Sequence, residues 1–457
     1  MAVRSALVRC TAVALVVVAL VAGCASEDDP TPPKKTPSVT APTELNFAVY
    51  GAQPLIDAYT RIAAMFNLDH LETKVVVHGY ATHDEAMAAL AKDRGTDREP
   101  DVFMTDRDDL TALIDDDVIQ PVNELLAERE VDFGDGYTRS GLEAFSADAA
   151  LQCMPADVSP LVVYYNPRLI ELDQIAEPGR TPISQQRGWT LEEFARAALQ
   201  PRAPGVRGLY VGADLEQIAP FIWSGGGEVV DSTDEPTTLT LSDDASAGAL
   251  EQLLEVVRDP ALTFGQPALR RSSALERFKA GKLGMILGYR DLTPELRNQR
   301  GLIFDVMPLP RLGGGATVAT MSGLCLSADS DQTDLAADFL TDVTSDESAS
   351  ELAETGYVMP ANVDVVNDEA FLQTGEKPLH AQVFAREARG TRLLPSVPQW
   401  TLVRRAAARE LTQLFYQPVI LSLPDRLEAI DEGSTLLFDP DANTPPLTPT
   451  PSPTPSD

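Results

Sequence analysis

The residues of this 457-residue chain that could do chemistry are scattered, and no compact catalytic motif gathers them. Four histidines (His70, His78, His83 and His380) occur without the spacing that places two metal ligands on one helix face or hairpin, so neither a metal nor a cofactor is expected. Gly-x-Ser-x-Gly, His-Glu-x-x-His, the phosphate-loop pattern and Cys-x-x-Cys are missing. Carboxylates are so numerous, 69 in all, that a glycosidase-like pair can be neither argued nor dismissed from composition. What remains is non-covalent chemistry. Tyr50, Trp223, Tyr289 and Trp400 offer flat faces, and Asp106, Asp157 and Arg290 offer charged hydrogen-bonding groups. For each of them a place in the core or on the surface is an equally ordinary use.

The elements that must position these residues alternate in type. Strands are expected at 45–49, 74–78 and 100–105, with helices between them. Leu55, Tyr59, Ile62 and Phe66 recur at helical spacing. Thr82 and Glu85 form a capping box that opens a helix through 91. Such alternation implies a mostly parallel sheet covered by helices, and ligands of such sheets sit at the carboxyl ends of the strands. That rule selects Tyr50, Gly51, Thr105, Asp106 and Arg107.

The stretch 151–169 then reads as two short strands with a break between them. Leu161–Tyr165 is a β-prone apolar run, and Pro155 and Pro160 bracket Ala156–Ser159. A second α/β unit follows. A stiff extended crossing between two such units is what a hinge requires. Thr190 and Glu193 form a second capping box beside Trp189, which is expected to pack structurally. Glycines 313–315 make a turn and lack the strand–glycine–helix context of a nucleotide loop.

The net charge of −33 argues against nucleic acid and anionic lipid surfaces as partners. Arg4 and Arg9 precede an apolar run, 11–22, that is short for a membrane span. It ends in Leu20-Val21-Ala22-Gly23-Cys24, which resembles the lipobox of bacterial lipoprotein signal peptides. The resemblance implies cleavage before Cys24 and acylation, palmitate included, on that residue. The alternative is a plain signal peptide with a chance cysteine. Residues 24–43 and 439–457 are rich in Pro and Thr and are expected to be a disordered tether and tail.

Several further segments resemble the bacterial extracellular solute-binding proteins of ABC importers, family 1, of the maltose- or sugar-binding type. The hinge stretch with Tyr165-Asn166-Pro167 is one. Trp223-Ser224-Gly225-Gly226-Gly227-Glu228-Val229-Val230-Asp231 is the most specific, and Phe278–Tyr289 with its Gly281-Lys282 is another. Pro398-Gln399 before a long helix is similar to the maltose-binding branch. The resemblance covers about residues 44–437. It implies an α/β, two-lobed, periplasmic-binding-protein-like (type II) fold with a hinge and an interlobe cleft. Lobe one would be 44–154 plus 320–374 and lobe two 155–319 plus 375–438, with crossings near 155, 320 and 375.

The same resemblance implies a ligand set of Tyr50, Thr105, Asp106, Asp157, Trp223, Gly225, Gly226, Tyr289, Arg290, Ser322, Gly323 and Trp400. It implies a monomer without enzymatic activity, anchored by lipid at the outer face of the cytoplasmic membrane, that delivers a small solute to the transmembrane subunits of an ABC permease. A carbohydrate is the expected solute, although aromatic residues are only 6% of the chain and a polar amphiphile such as a glycerophosphodiester stays open. A surface-anchored carbohydrate hydrolase and a sensory or scaffold lipoprotein are the differing readings. With Cys10 in the leader and Cys24 acylated, Cys153 and Cys325 remain. In the family their segments run side by side, so the two are expected to form a disulfide or to stay reduced as small apolar residues.

Overall fold

The computed structural model describes residues 41–134, 136–175 and 181–439. The leader, Cys24, most of the tether and the tail from 440 on lie outside them.

The first apolar strand, β1 (Thr43–Tyr50), buries Leu45, Phe47 and Val49. Its partner β2 (Thr73–Tyr80) runs parallel, in register from Thr43 opposite Thr73 to Tyr50 opposite Tyr80. Between them α1 (Gln53–Asp69) starts on a proline in its first turn and buries Leu55, Ala58, Tyr59, Ile62 and Phe66 along one stripe. Helix α2 (His83–Asp93) is capped by Thr82, whose side chain accepts from the Glu85 amide. Strand β3 (Val102–Asp106) pairs parallel with β1.

The other strands of the two main sheets are β4 (Ile119–Gln120), β5 (Cys153–Pro160), β6 (Val162–Tyr165), β7 (Arg207–Tyr210), β8 (Leu283–Gly288), β9 (Asp305–Met307) and β10 (Ala319–Ser327); Ser146–Ala147 and Ala150–Leu151 pair as a small separate ladder. Strands β1–β10 form the two main sheets. The first has the order β2-β1-β3-β10-β4, with β5 also paired to β10. The second has the order β9-β6-β8-β7. Each sheet carries its own core. Phe47 meets Tyr59 and Phe339 edge-on at ring-centroid distances of 5.5 and 5.0 Å in the first. The second sheet is covered on both faces: Val163 and Tyr165 point into one cluster with Trp189, Phe194 and Trp400, and Val162 and Tyr164 into another with Phe304, Phe371 and Phe384. The fold is therefore the expected two-lobed α/β arrangement.

The hinge differs in detail from the expected pair of strands with a break at 156–159. Strand β5 runs unbroken through Asp157, and the change of sheet takes one residue, Leu161. Pro155 is accommodated beside a register shift between Ser322 and Gly323 on β10, where the ladder is already interrupted. The return crossing lies alongside: the Leu161 amide donates to the Val318 carbonyl at 2.8 Å, and the Thr317 hydroxyl donates to the Leu161 carbonyl at 2.8 Å.

A third extended segment, 359–361, runs along the free side of β5. The Val158 amide donates to the Met359 carbonyl at 3.0 Å and the Ala361 amide to the Ala156 carbonyl at 3.0 Å. Beyond it Val365, Val366 and Phe371 already pack with Val162 and Tyr164 of the second sheet. The chain thus reaches the second lobe before the expected crossing near 375. The apolar run that decides this, Val365-Val366 with Phe371, is too short for periodicity to assign it to one lobe.

Cys153 and Cys325 stand opposite each other on β5 and β10 with Cα atoms 4.3 Å apart and their sulfurs bonded.

Candidate functional site

A cleft of about 260 Å³ opens at the carboxyl end of β3, between the two sheets. Strand β3 ends at Asp106, and the chain turns through a short 3-10 segment, Arg107–Asp109. This turn presents Asp106, Arg107 and Asp108 to the cleft as one contiguous wall.

The facing wall comes from distant places. Asp214 caps α3 (Leu215–Ser224) by accepting from the Gln217 amide at 2.9 Å, which sets Glu216 in the first turn, toward the cleft. Tyr289 follows directly on β8. Helix α4 (Trp400–Tyr416) contributes Arg404, and the segment before it contributes Arg392 and Leu394. The hinge residues 318–321 form the floor.

Charged groups lace these walls together. Arg404 donates from Nη1 to Asp108 Oδ2 at 2.9 Å, and its Nη2 pairs with Glu216, so one guanidinium holds a carboxylate from each lobe. Arg107 donates from Nη1 to the Leu394 carbonyl at 2.6 Å, and its Nε has no hydrogen-bond partner among the described residues. Burial lowers the Arg107 pKa, opposed by Asp108 and Asp234. Burial also raises the pKa of Glu216, with Arg404 opposing, and that of Asp214. Tyr289 is pushed well up, first by burial and then by the charges of Glu216 and Asp214.

Behind the first wall lies a supporting layer. The Tyr50 hydroxyl donates to Asp106 Oδ1, and burial together with that carboxylate raises the tyrosine pKa. Asp106 itself is raised by burial, against its bond from Tyr50. His83 meets the Tyr50 ring edge-on at 5.3 Å and bonds Asp109 Oδ2 through Nε2 at 2.6 Å. The Asp109 bond lifts His83 to about 9. The Thr105 hydroxyl donates to the same Asp109 oxygen at 3.3 Å, from a fully buried residue.

Of the twelve residues expected to bind ligand, Asp106, Tyr289 and Trp400 line this cleft. Tyr50 and Thr105 stand behind it. Trp400 is only 2% exposed and lies parallel to Phe438 with centroids 6.3 Å apart, so it serves as packed floor and not as a free platform. Trp223 is adjacent, but its ring is covered by the Arg392 guanidinium at 4.7 Å, and Arg392 in turn holds Glu228 at 2.7 and 3.2 Å.

The others do other work. Asp157 lies in β5, where Oδ1 accepts from the Met359 amide at 2.6 Å and ties two crossings together. Arg290 turns away from the cleft and is fully buried, its guanidinium 4.6 Å from the centre of Phe371 and 5.5 Å from that of Phe384; an aromatic slot accepts a planar cation where water is excluded. Gly225 and Gly226 end α3. A Cβ on Gly225 would stand 2.6 Å from that of Ala249, and Gly226 has φ +86°. Gly323 lies against the Phe145 ring, where a Cβ would be 2.7 Å from a ring carbon, and Ser322 sits in the ladder between Asp106 and Asp157. Gly225 and Gly323 permit close packing, Gly226 permits the left-handed turn, and none of the three lines the cleft.

Glu216, Arg392 and Arg404 were not singled out by sequence reasoning. Arg404 lies one turn after Trp400, beside the buried stripe Val403-Ala407-Leu411, and Glu216 lies two residues after the helix cap Asp214. Polar residues next to an apolar stripe, or in the first turn after a strand end, are the signal that was present. Among the described residues, no group of histidine, cysteine or carboxylate side chains is arranged to hold a metal.

Residues 61–378 match the bacterial extracellular solute-binding protein family, well over half the chain. The chain belongs to that family. No curated protein matches it. Solved structures similar to this solute-binding protein share its fold at low identity. An ABC substrate-binding protein from Listeria monocytogenes in complex with cycloalternan aligns with TM-score 0.70 and 18% identity over 86% of this chain and 98% of that one. The GacH receptor of Streptomyces glaucescens, studied with acarbose, aligns with TM-score 0.68 and 17% identity over 88% and 100%. The cyclic α-maltosyl-1,6-maltose binding protein from Arthrobacter globiformis aligns with TM-score 0.71 and 16% identity over 88% and 100%.

Proposed function

We propose that this solute-binding protein captures a carbohydrate in the interlobe cleft and hands it, unchanged, to an ABC permease. The observation that carries the reading is Arg404, which holds Asp108 of one lobe and Glu216 of the other across the cleft. Charged side chains drawn from both lobes are suited to clamp hydroxyl groups as the lobes close on a polar solute. Tyr289 supplies a partly exposed ring for a C–H face. The ligands named for the Listeria, Streptomyces and Arthrobacter proteins support an α-linked oligosaccharide.

In this reading the protein is a monomer that works outside the cytoplasmic membrane, held there by acyl chains on Cys24. More than one acyl chain is needed for stable anchoring. Cys24→Ala is expected to leave the leader uncleaved or to move the protein out of the membrane fraction. A mature-sized, lipid-free protein that stays in the membrane fraction contradicts the anchor.

Ligand binding is tested by a thermal-shift screen with mono-, di- and oligosaccharides and glycerophosphodiesters, since a ligand of the folded state alone raises stability by mass action. The expected result is a rise with one class of oligosaccharide. A rise confined to glycerophosphodiesters reassigns the solute, and hydrolysis of the sugar reassigns the protein as an enzyme.

A further inference from the structure

A second cavity, about 560 Å³, shares no lining residue with the cleft and is the larger of the two. It lies beside the free side of β5. One wall is Tyr137–Ser140 with Glu143, next to the core of the first lobe. The other comes from residues that pack on the second sheet, among them Met359, Val366 and Ala388. Its volume is that of an ordinary small-molecule site.

Two observations give it chemistry. Its interior is apolar on the second wall, where Met359, Val363, Val366, Ala385 and Ala388 line it. At the rim, Arg389 is exposed, and among the described residues no carboxylate is paired with it; the neighbouring Arg139 is held by Glu143 at 2.7 Å. In a chain with 69 acidic residues against 36 basic ones, an arginine left unpaired is available to an anion from outside.

We propose that this cavity is a second ligand site, separate from the cleft, for an amphipathic anion whose apolar body lies against Met359, Val363 and Val366 and whose carboxylate or phosphate meets Arg389 at the rim. Because its walls belong to different lobes, its occupant also touches both sides of the hinge.

The test titrates the whole mature protein with sodium octanoate and, separately, with 1-octanol, by calorimetry and by the unfolding midpoint. Octanoate is expected to bind one-to-one and to raise the midpoint. Arg389→Gln is expected to weaken octanoate about tenfold, the size of one charge-assisted contact, and to leave octanol unchanged. Val363→Trp, which fills the cavity from a partly exposed position, is expected to abolish both; Asn367→Trp on the exposed rim provides the same block if the first variant does not fold. Wild-type protein that binds no octanoate, or blocked variants that bind as wild type does, overturn the site. Equal octanoate binding by wild type and Arg389→Gln overturns the anion.

Discussion

The two walls of the cleft are built in different ways. The wall from the first lobe is one turn of chain, Asp106–Asp108, at the end of a strand, with Tyr50, His83 and Asp109 hydrogen-bonded behind it. Strand β3 is also paired to β10, which is bonded to β5 through Cys153 and Cys325. The wall from the second lobe collects Glu216, Tyr289, Arg392 and Arg404 from across almost two hundred positions of sequence, and Arg404 links it to Asp108. One wall is preformed by local structure. The other exists because helices α3 and α4 pack on one sheet and a guanidinium ties their ends.

Breaking the brace of the first wall has the largest expected effect. Replacing Cys153 and Cys325 by serine is expected to cost about 2–5 kcal/mol of stability by chemical unfolding, with little change in ligand affinity, because neither residue reaches the cleft. Native protein that takes up two alkyl groups under denaturing, non-reducing conditions contradicts the bond.

Breaking the second wall acts on binding instead. Arg404→Ala leaves Asp108 and Glu216 facing each other without their cation. Affinity for the cleft ligand is expected to fall about tenfold to hundredfold, with unfolding changed far less, since all three side chains are partly exposed. Arg404→Lys is expected to recover only part of the affinity, because an ammonium cannot serve two carboxylates as a fork does.

Two pH effects separate the layers. Asp157 in β5 has its pKa raised well above the ordinary carboxylate range by burial, against the Met359 amide bond that lowers it. The folded state therefore holds that proton more tightly than the unfolded chain, and stability falls as pH rises through the raised pKa. Asp157→Asn keeps an acceptor for Met359 and is expected to flatten that decline and raise the unfolding midpoint at pH 8. A steeper decline in the variant contradicts the assignment.

The smaller effect belongs to His83. Its folded pKa of about 9 lies above the unfolded value near 6.5. Its contribution is present in full below about 6.5 and is lost as pH rises through about 9. His83→Gln is expected to remove that pH dependence and lower stability at pH 6 more than at pH 10.

How much of this was legible in the sequence follows the same division. Strand ends and capped helices are local, so Asp106 and Tyr50 followed from the alternation of elements and the rule about carboxyl ends of strands. The two-lobed fold was legible from the hinge stretch and the segments around Trp223 and Tyr289. The second wall was not, because it depends on which helix ends meet across a sheet. Trp223, Trp400 and Arg290 show the limit most clearly. Their types suit a ligand, yet Arg392 covers the first, Phe438 stacks on the second, and two phenylalanines enclose the third. A side chain's type states what it can touch, and only packing decides what it does touch.

In the proposed function both walls close on one sugar. Isothermal titration of the mature protein with maltotetraose, run on wild type, Arg404→Ala and Asp106→Asn, tests it most directly. Wild type is expected to bind one-to-one, and each variant, one from each wall, at least tenfold more weakly. Wild-type affinity in both variants, or no heat from wild type with any α-linked oligosaccharide, contradicts it.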